Sequence, residues 1–186
     1  MTVNAITATG SAVTTSLAEK LWFNAIWFQG LWFCTVFGRD SLLPLALLML
    51  VLHVWLARGD WRGELRQLCL VGGLGIAADA LLSAVGVFQF SGGVLVPLWL
   101  CCLWLAFAAT LRRSLGWLGA RPRLASVAGA IAFPLNYWVG QRAGAVEFGY
   151  SLPATLALLA ITWAILLPLM YRLGEPRRPG QGGGIS

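Results

Sequence analysis

The chain has 186 residues, of which 59% are hydrophobic and only 11% are charged, and its formal net charge is +6. Soluble domains carry about a quarter charged residues, and a water-soluble fold of this length could not hide so much apolar surface. The basic residues lie between apolar runs and do not cluster in one polar domain, which argues against nucleic acid as a partner. We therefore expect a membrane protein whose helices face lipid.

Six apolar stretches follow one another along the chain. They cover about residues 21–38, 41–57, 66–87, 94–111, 124–142 and 152–171. Each is near the ~20 residues that cross a bilayer as a helix. The sequence predicts an all-α fold, a polytopic transmembrane bundle of six helices over residues 20–173. We expect a polar N-terminal segment at 1–19 and a disordered cytoplasmic tail at 174–186.

The basic residues favour one side of these helices. If the N-terminus is cytoplasmic, eleven of the 13 Lys and Arg residues fall on the inner side, and only Arg39 and Arg142 fall on the outer side. The positive-inside rule predicts this orientation, with both termini in the cytoplasm. Four of the inner residues form a predicted basic patch for anionic lipid headgroups: Arg112, Arg113, Arg121 and Arg123.

The first apolar stretch, LWFNAIWFQGLWF, repeats a Trp-Phe pair every five residues and places Trp22, Trp27 and Trp32 around the helix. One interpretation is packing and lipid contact, because aromatic stripes are usually structural. The other is an aromatic cavity for a lipid chain, an isoprenoid or a chromophore. The amides Asn24 and Gln29 lie between the pairs and are polar intramembrane candidates.

The third stretch contains an acidic residue, Asp79, deep in the apolar sequence. A charge at the bilayer centre costs about 2.5–3.5 kcal/mol or more, so an intramembrane acid is a functional candidate. Small residues share its helical face, at Gly72, Gly75, Ser83 and Gly86. The fifth stretch has a matching face with Asn136 at similar depth. We therefore expect an Asp79–Asn136 hydrogen bond across a close contact of the third and fifth helices. Its role is either to hold the two helices together or to form a site that binds a proton or a polar lipid headgroup.

Further polar residues lie near the predicted outer surface. With Asn136, the side chains of Tyr137, Gln141, Arg142 and Glu147 could form an outward polar funnel, and Arg142 and Glu147 could equally be a solvated surface pair. The sequence has one histidine, His53, and no ligand set for a metal. We identify no catalytic motif and no cofactor site, which argues against an enzyme.

The segments WFNAIWFQGLWFCTVFG, GIAADALL and PLNYWVGQRAG together resemble a bacterial family of inner-membrane proteins, domain of unknown function 2878. The resemblance covers about residues 20–173. It implies a multi-pass protein of the bacterial cytoplasmic membrane and brings no established activity. It also implies lipid-modifying enzymes as partners, because members are often encoded near enzymes that resemble cyclopropane fatty-acyl synthases and lipid oxidoreductases.

Four functions remain open on the sequence, and an intramembrane enzyme ranks last among them because candidates for a nucleophile or a base are scarce. The first is a membrane protein associated with a lipid or another apolar ligand, which the aromatic repeat and the basic patch favour. The second is a small proton-coupled transporter or permease that uses Asp79. The third is a membrane scaffold subunit without a ligand of its own. The sequence does not set the oligomeric state.

Overall fold

The computed structural model describes residues 20–174. The predicted segment 1–19 lies outside the described residues, and so does the predicted tail 174–186 apart from Gly174, which ends the last helix. Six long helices account for most of the described chain, as predicted. They are α1 (Leu21–Gly38), α2 (Leu43–Leu56), α3 (Trp61–Ala84), α4 (Leu98–Leu111), α5 (Pro122–Arg142) and α6 (Leu152–Gly174). Within α3, the turn Leu68–Gly72 is a π-helix between α-helical Trp61–Gln67 and Gly73–Ala84.

The connections are short. Three are 3₁₀ turns, at Arg39–Leu42, Arg58–Asp60 and Ser91–Gly93, and a fourth contains a single helical turn, Gly116–Gly119. Strands β1 (Phe88–Gln89) and β2 (Glu147–Phe148) pair antiparallel, with Phe88 opposite Phe148. These connections alternate between two ends of the bundle. The basic end holds the turns 57–60 and 112–121 and the described chain ends, and the far end holds the turns 39–42, 85–97 and 143–151.

Two helices begin elsewhere than the sequence predicted. Helix α3 begins at Trp61, before the apolar run, because the Asp60 carboxylate caps it by accepting a hydrogen bond from the Gly63 N–H at 3.2 Å. Helix α4 begins only at Leu98. Val94 and Pro97 before it have extended backbone, with ψ of 145° and 154°, and a residue that precedes a proline disfavours the helical region.

Three helical segments are long and apolar enough to cross a membrane: Leu21–Leu56, Trp61–Ala84 and Leu152–Gly174. Helix α4 is apolar but shorter. The first segment contains α1 and α2 as an antiparallel hairpin, in which the Trp27 indole N–H donates to the Met49 carbonyl at 3.3 Å. Large apolar side chains on the exterior, such as Ile26, Leu48 and Ile161, are exposed. This exterior is compatible with a membrane protein.

Helix α4 lies at the centre of the fold and contacts α1, α2 and α3, while α5 and α6 form a closely packed hairpin. Glycine makes the close approach of α5 and α6 possible, because a Cβ atom at Gly129 would collide with the carbonyl oxygen of Trp163. The predicted close contact of the third and fifth helices through the glycine face of α3 is wrong. That face packs on α4, because the Trp104 ring occupies the space that a side chain at Gly75 would need.

Candidate functional site

A cavity of about 250 Å³ lies between α1, α4 and α5, and far-end residues close part of it. Eight of its lining residues are aromatic: Phe28, Trp32, Phe90, Trp99, Trp104, Phe107, Phe133 and Tyr137. The remaining lining residues are aliphatic or small apart from Asn136. The cavity therefore offers apolar contact over nearly its whole wall.

Helical spacing explains this wall. Phe28 and Trp32 are four residues apart and so share one face of α1. On α5, Ala132, Asn136 and Gly140 recur every four residues and line the cavity together. Because alanine and glycine have little or no side chain, they leave the space that the aromatic rings of α1 and α4 surround. The cavity thus follows from aromatic rings on all three helices and from the small residues that α5 carries beside its own rings, Phe133 and Tyr137.

A cleft of about 300 Å³ between α1 and α5 adjoins the cavity. The two share Phe28, Trp32 and Asn136 as lining residues. The cleft is also lined by Gln29 and Leu135, both of which are exposed on the outside of the bundle. The cavity therefore adjoins the exterior sideways, between two helices.

The Asp79 carboxylate lies behind the cavity wall and holds two wall residues in place. Its side chain is fully buried. Oδ2 accepts a hydrogen bond from the Trp104 indole N–H at 2.6 Å, and Oδ1 accepts one from the Tyr137 hydroxyl at 2.5 Å. These bonds join α3 to both α4 and α5. Asp79 does not line the cavity itself, but it orients two side chains that do.

The expected Asp79–Asn136 hydrogen bond is wrong. Asn136 is exposed, and its Nδ2 donates to the Ala132 carbonyl of its own helix at 2.8 Å. The next residue, Tyr137, reaches Asp79 because each residue turns the helix by about 100°. The sequence therefore predicted the depth of the contact on α5 to within one residue, but it predicted Asn136 where the structure has Tyr137.

Aromatic stacking continues the wall toward α6. Trp163 is fully buried, and its ring centroid lies 4.2 Å from that of Phe133 and 4.9 Å from that of Trp104. Tyr137 stacks on Phe88 of β1 at 4.7 Å. Aromatic pairs of this kind contribute about 0.5–1.5 kcal/mol beyond the burial of their area. The far side of the cavity wall is therefore a packed aromatic layer.

The three predicted aromatic-cavity residues separate onto different faces of α1. Only Trp32 lines the cavity. Trp27 is buried against α2, where it stacks on the His53 ring at a centroid distance of 4.3 Å. Trp22 is 60% exposed on the exterior. This separation is the geometric result of a five-residue repeat on a helix of 3.6 residues per turn.

The two amides of α1 also separate. Asn24 is buried near the basic end, and its Oδ1 accepts a hydrogen bond from the Ser114 hydroxyl at 2.7 Å. This bond ties α1 to the segment after α4. Gln29 lies instead in the cleft beside the cavity.

The structure does not bring the predicted outer funnel together around one opening. Of its members, only Tyr137 lines the cavity, together with the neighbouring Asn136. Gln141 is half-buried further along α5, Arg142 is exposed, and Glu147 is exposed in β2. The arginine of the far end that does make contacts is Arg39, which donates to the Gly144 and Ala143 carbonyls at 2.9 and 3.2 Å.

One member of the predicted basic patch, Arg113, is paired inside the protein. Arg113 donates to both carboxylate oxygens of Glu64, at 2.9 and 2.8 Å, and Glu64 is 1% exposed. His53 Nε2 lies 3.0 Å from Glu64 Oε1, so the buried acid joins α2, α3 and the segment after α4. Sequence reasoning overlooked Glu64 because it lies outside the apolar run. The signal was the short turn between His53 and Glu64, which must bring them close.

The other members of the patch lie at the surface. Arg112 donates to Asp60 at 2.9 Å, and this hydrogen bond is the main cause that lowers the pKa of the exposed Asp60 carboxyl. Arg121 lies over the Trp117 ring at 5.8 Å, and Arg123 is exposed. The free positive charge of the patch is therefore centred on Arg121 and Arg123.

Among residues 20–174, no three His, Cys, Asp or Glu side chains lie close enough together to hold a metal ion. The nearest approach to such a set is His53 and Glu64. Their third partner is Arg113, which is a cation and does not bind metal.

Comparison with known proteins finds one family. Residues 21–169 match the family described as "Protein of unknown function (DUF2878)". No curated protein and no solved structure matches the chain significantly. The match therefore supports the resemblance found in the sequence, and the function has to be argued from the site.

Proposed function

The chain belongs to the DUF2878 family of unknown function, and on that premise we propose that it binds an apolar chain, taken from a surrounding membrane, in the aromatic cavity. The observation that carries this proposal is the lateral cleft between α1 and α5. A ligand that reached the site from water would use an opening at one end of the bundle. An opening between two lipid-facing helices instead suits a ligand that is already dissolved in the bilayer.

The size and lining of the site support an apolar ligand. Small-molecule sites are usually apolar concavities of about 300–1,000 Å³ with a few polar groups that fix orientation. The cavity, at about 250 Å³, lies just below this range, and the adjoining cleft, at about 300 Å³, lies at its lower limit. They suit one chain or one ring system of a lipid or an isoprenoid, and they are too small for a whole phospholipid.

The membrane placement is part of the proposal. All six helices cross the bacterial inner membrane, with the basic end in the cytoplasm. The clustering of Arg112, Arg113, Arg121 and Arg123 at that end supports this orientation. Arg121 and Arg123 face anionic headgroups there, at about 1 kcal/mol for each residue. Lipid-modifying enzymes are the partners that such a protein would serve.

A cavity-filling variant tests the proposal. Ala132→Phe places a ring in the space beside Asn136 and should reduce the amount of apolar molecules that co-purify with the protein from membranes, measured by mass spectrometry of organic extracts. Val127→Phe is the matched control, because Val127 is exposed on the same helix and does not line the cavity. Equal retention by both variants, at the level of the unchanged protein, would contradict the proposal.

A proton-coupled transporter is the second candidate, and one observation favours it: a fully buried acid, Asp79, contacts two residues of the cavity wall. Protonation of Asp79 would change the positions of Trp104 and Tyr137 and so the shape of the cavity. Under this function, Asp79→Asn abolishes the pH dependence of uptake into proteoliposomes. Under simple binding, pH affects retention little and Asp79→Asn acts mainly on stability. A scaffold without a ligand would retain no apolar molecule at all.

A further inference from the structure

We propose that the bound chain carries an uncharged oxygen group, of the ester, ketone or hydroxyl class, and that Gln29 and Asn136 hold this group by hydrogen bonds in the cleft. This inference rests on the proposed function and specifies its ligand. It starts from two amides in a wall that is otherwise apolar.

The two amides belong to different helices and line the same cleft. Gln29 is on α1, and Asn136 is on α5. Both are exposed on the outside of the bundle. Each amide has two N–H donors and a carbonyl oxygen that can accept two hydrogen bonds. A molecule lying between α1 and α5 therefore meets hydrogen-bonding groups from both sides.

The protein itself uses little of this capacity. Among residues 20–174, Asn136 makes a single side-chain hydrogen bond, from Nδ2 to the Ala132 carbonyl, and Gln29 makes none. Asn136 lies six residues before Arg142, the end of α5, or ~9 Å along the helix axis. In a bilayer whose hydrocarbon core is ~30 Å thick, this depth is within the acyl region, where water is scarce. Unpaired amides are costly there, and an oxygen group on the ligand would pair with them.

The charges around the cleft favour a neutral group. No lysine, arginine or histidine lines the cavity or the cleft. The acid behind the wall, Asp79, already accepts hydrogen bonds from Trp104 and Tyr137. A carboxylate or phosphate on the ligand would have no cation to pair with. An ester, ketone or hydroxyl group makes the same hydrogen bonds to the amides without this cost.

A competition between two chains of equal length tests the ligand class. The full chain is reconstituted in phosphatidylcholine vesicles that contain equal amounts of icosane and methyl octadecanoate, which match in chain length, then extracted in mild detergent and purified. Gas chromatography with mass spectrometry measures the ratio of retained ester to retained alkane. We expect about a fivefold enrichment of the ester over its ratio in the vesicles, as one net hydrogen bond provides. The double variant Gln29→Leu/Asn136→Leu should reduce this enrichment to near one.

The control variant is Gln141→Leu, which removes an amide from α5 outside the cleft and should keep the enrichment. Equal retention of ester and alkane by the unchanged protein would overturn this inference and leave the proposed function intact. Retention of neither compound would instead contradict the proposed function. An enrichment that persists in the double variant would also overturn the inference.

Discussion

The indole N–H of Trp104 donates a hydrogen bond of 2.6 Å to Asp79 Oδ2 and thereby joins α4 to α3 inside the bundle. The Tyr137 hydroxyl completes the arrangement from α5, at 2.5 Å from Oδ1. Both donors also line the cavity. Asp79, the acidic residue within the apolar third stretch, thus fixes the positions of two aromatic side chains of the candidate site.

Removal of the Tyr137 hydroxyl should destabilise the protein. Tyr137→Phe leaves one oxygen of the fully buried Asp79 side chain without its donor, and an unsatisfied buried polar group costs about 1–3 kcal/mol. The free energy of unfolding, measured by SDS titration in mixed micelles, should fall by that amount. Tyr150→Phe is the control, because its hydroxyl bonds to the Val85 carbonyl at the exposed far end. A smaller loss for Tyr137→Phe than for Tyr150→Phe would contradict the anchoring role.

A methyl group at Gly75 should displace Trp104. The Cβ atom of Gly75→Ala would collide with the indole ring, whereas Gly73→Ala on the same helix has open space. We expect Gly75→Ala to lose about 1–3 kcal/mol through overpacking. Gly73→Ala should be neutral or gain up to about 1 kcal/mol through helix propensity. Unfolding titrations of the two variants check this contrast, and equal stabilities would show that α3 and α4 do not pack through Gly75.

Two adjacent arginines should differ strongly in their contribution to stability. Arg113→Met leaves the buried Glu64 carboxylate without its cation, which costs about 3–5 kcal/mol. Arg112→Met breaks a pair with Asp60 whose side chain is 66% exposed, which costs at most about 1 kcal/mol. The measurement is again the free energy of unfolding. Similar losses for both variants would mean that Glu64 is not buried.

The Asp60–Arg112 pair should also weaken in acid. The pKa of the Asp60 carboxyl is lower in the folded protein than its usual value. The pair therefore stabilises the fold fully above the unfolded pKa of about 4 and is lost as pH falls through the lower folded pKa. The stability difference between Arg112→Met and the unchanged protein should then shrink as the pH falls below about 4. A difference that grows on acidification would contradict this sign.

Arg39 should hold the far end of the bundle across the cleft between α1 and α5. It donates to the Ala143 and Gly144 carbonyls just after α5. In Arg39→Gln, amide hydrogen exchange over residues 143–148 should become roughly fivefold faster, the factor for about 1 kcal/mol of lost hydrogen bonding. Arg142→Gln, at an exposed arginine of the same end, should leave the exchange rates unchanged. Equal acceleration in both variants would exclude a specific clamp.

The helices could be predicted from the sequence because apolar runs bounded by charges and turns are a strong signal. The same signal misplaced the start of α3, since WRGELRQ is polar and its helix depends on the cap that Asp60 provides. The burial of Asp79 could be predicted from its cost in lipid and from the glycines on its face. Its partners could not. Asn136 and Tyr137 differ by about 100° of rotation around the helix. Only the packing of the helices shows which of the two side chains points inward.

The cavity could be predicted in kind but not in detail. The aromatic repeat of α1 indicated an aromatic site, but only Trp32 faces it, because the neighbours that decide each face are on other helices. Trp104 and Phe133 could not be predicted as site residues, because an aromatic residue in an apolar run usually belongs to the hydrophobic core. The pair of Glu64 and Arg113 was missed because a buried ion pair depends on contact between segments about 50 residues apart.

Photo-cross-linking from within the bilayer tests the central claim most directly. The protein is reconstituted with phosphatidylcholine that carries a diazirine in one acyl chain, irradiated, and mapped by peptide mass spectrometry. Binding in the cavity predicts saturable cross-links at Phe28, Trp32 and Phe133 that Ala132→Phe removes, beside unsaturable labelling of the exposed Ile161 and Ile165. Labelling confined to the exposed residues, or equal labelling of the cavity residues in Ala132→Phe, would contradict the account.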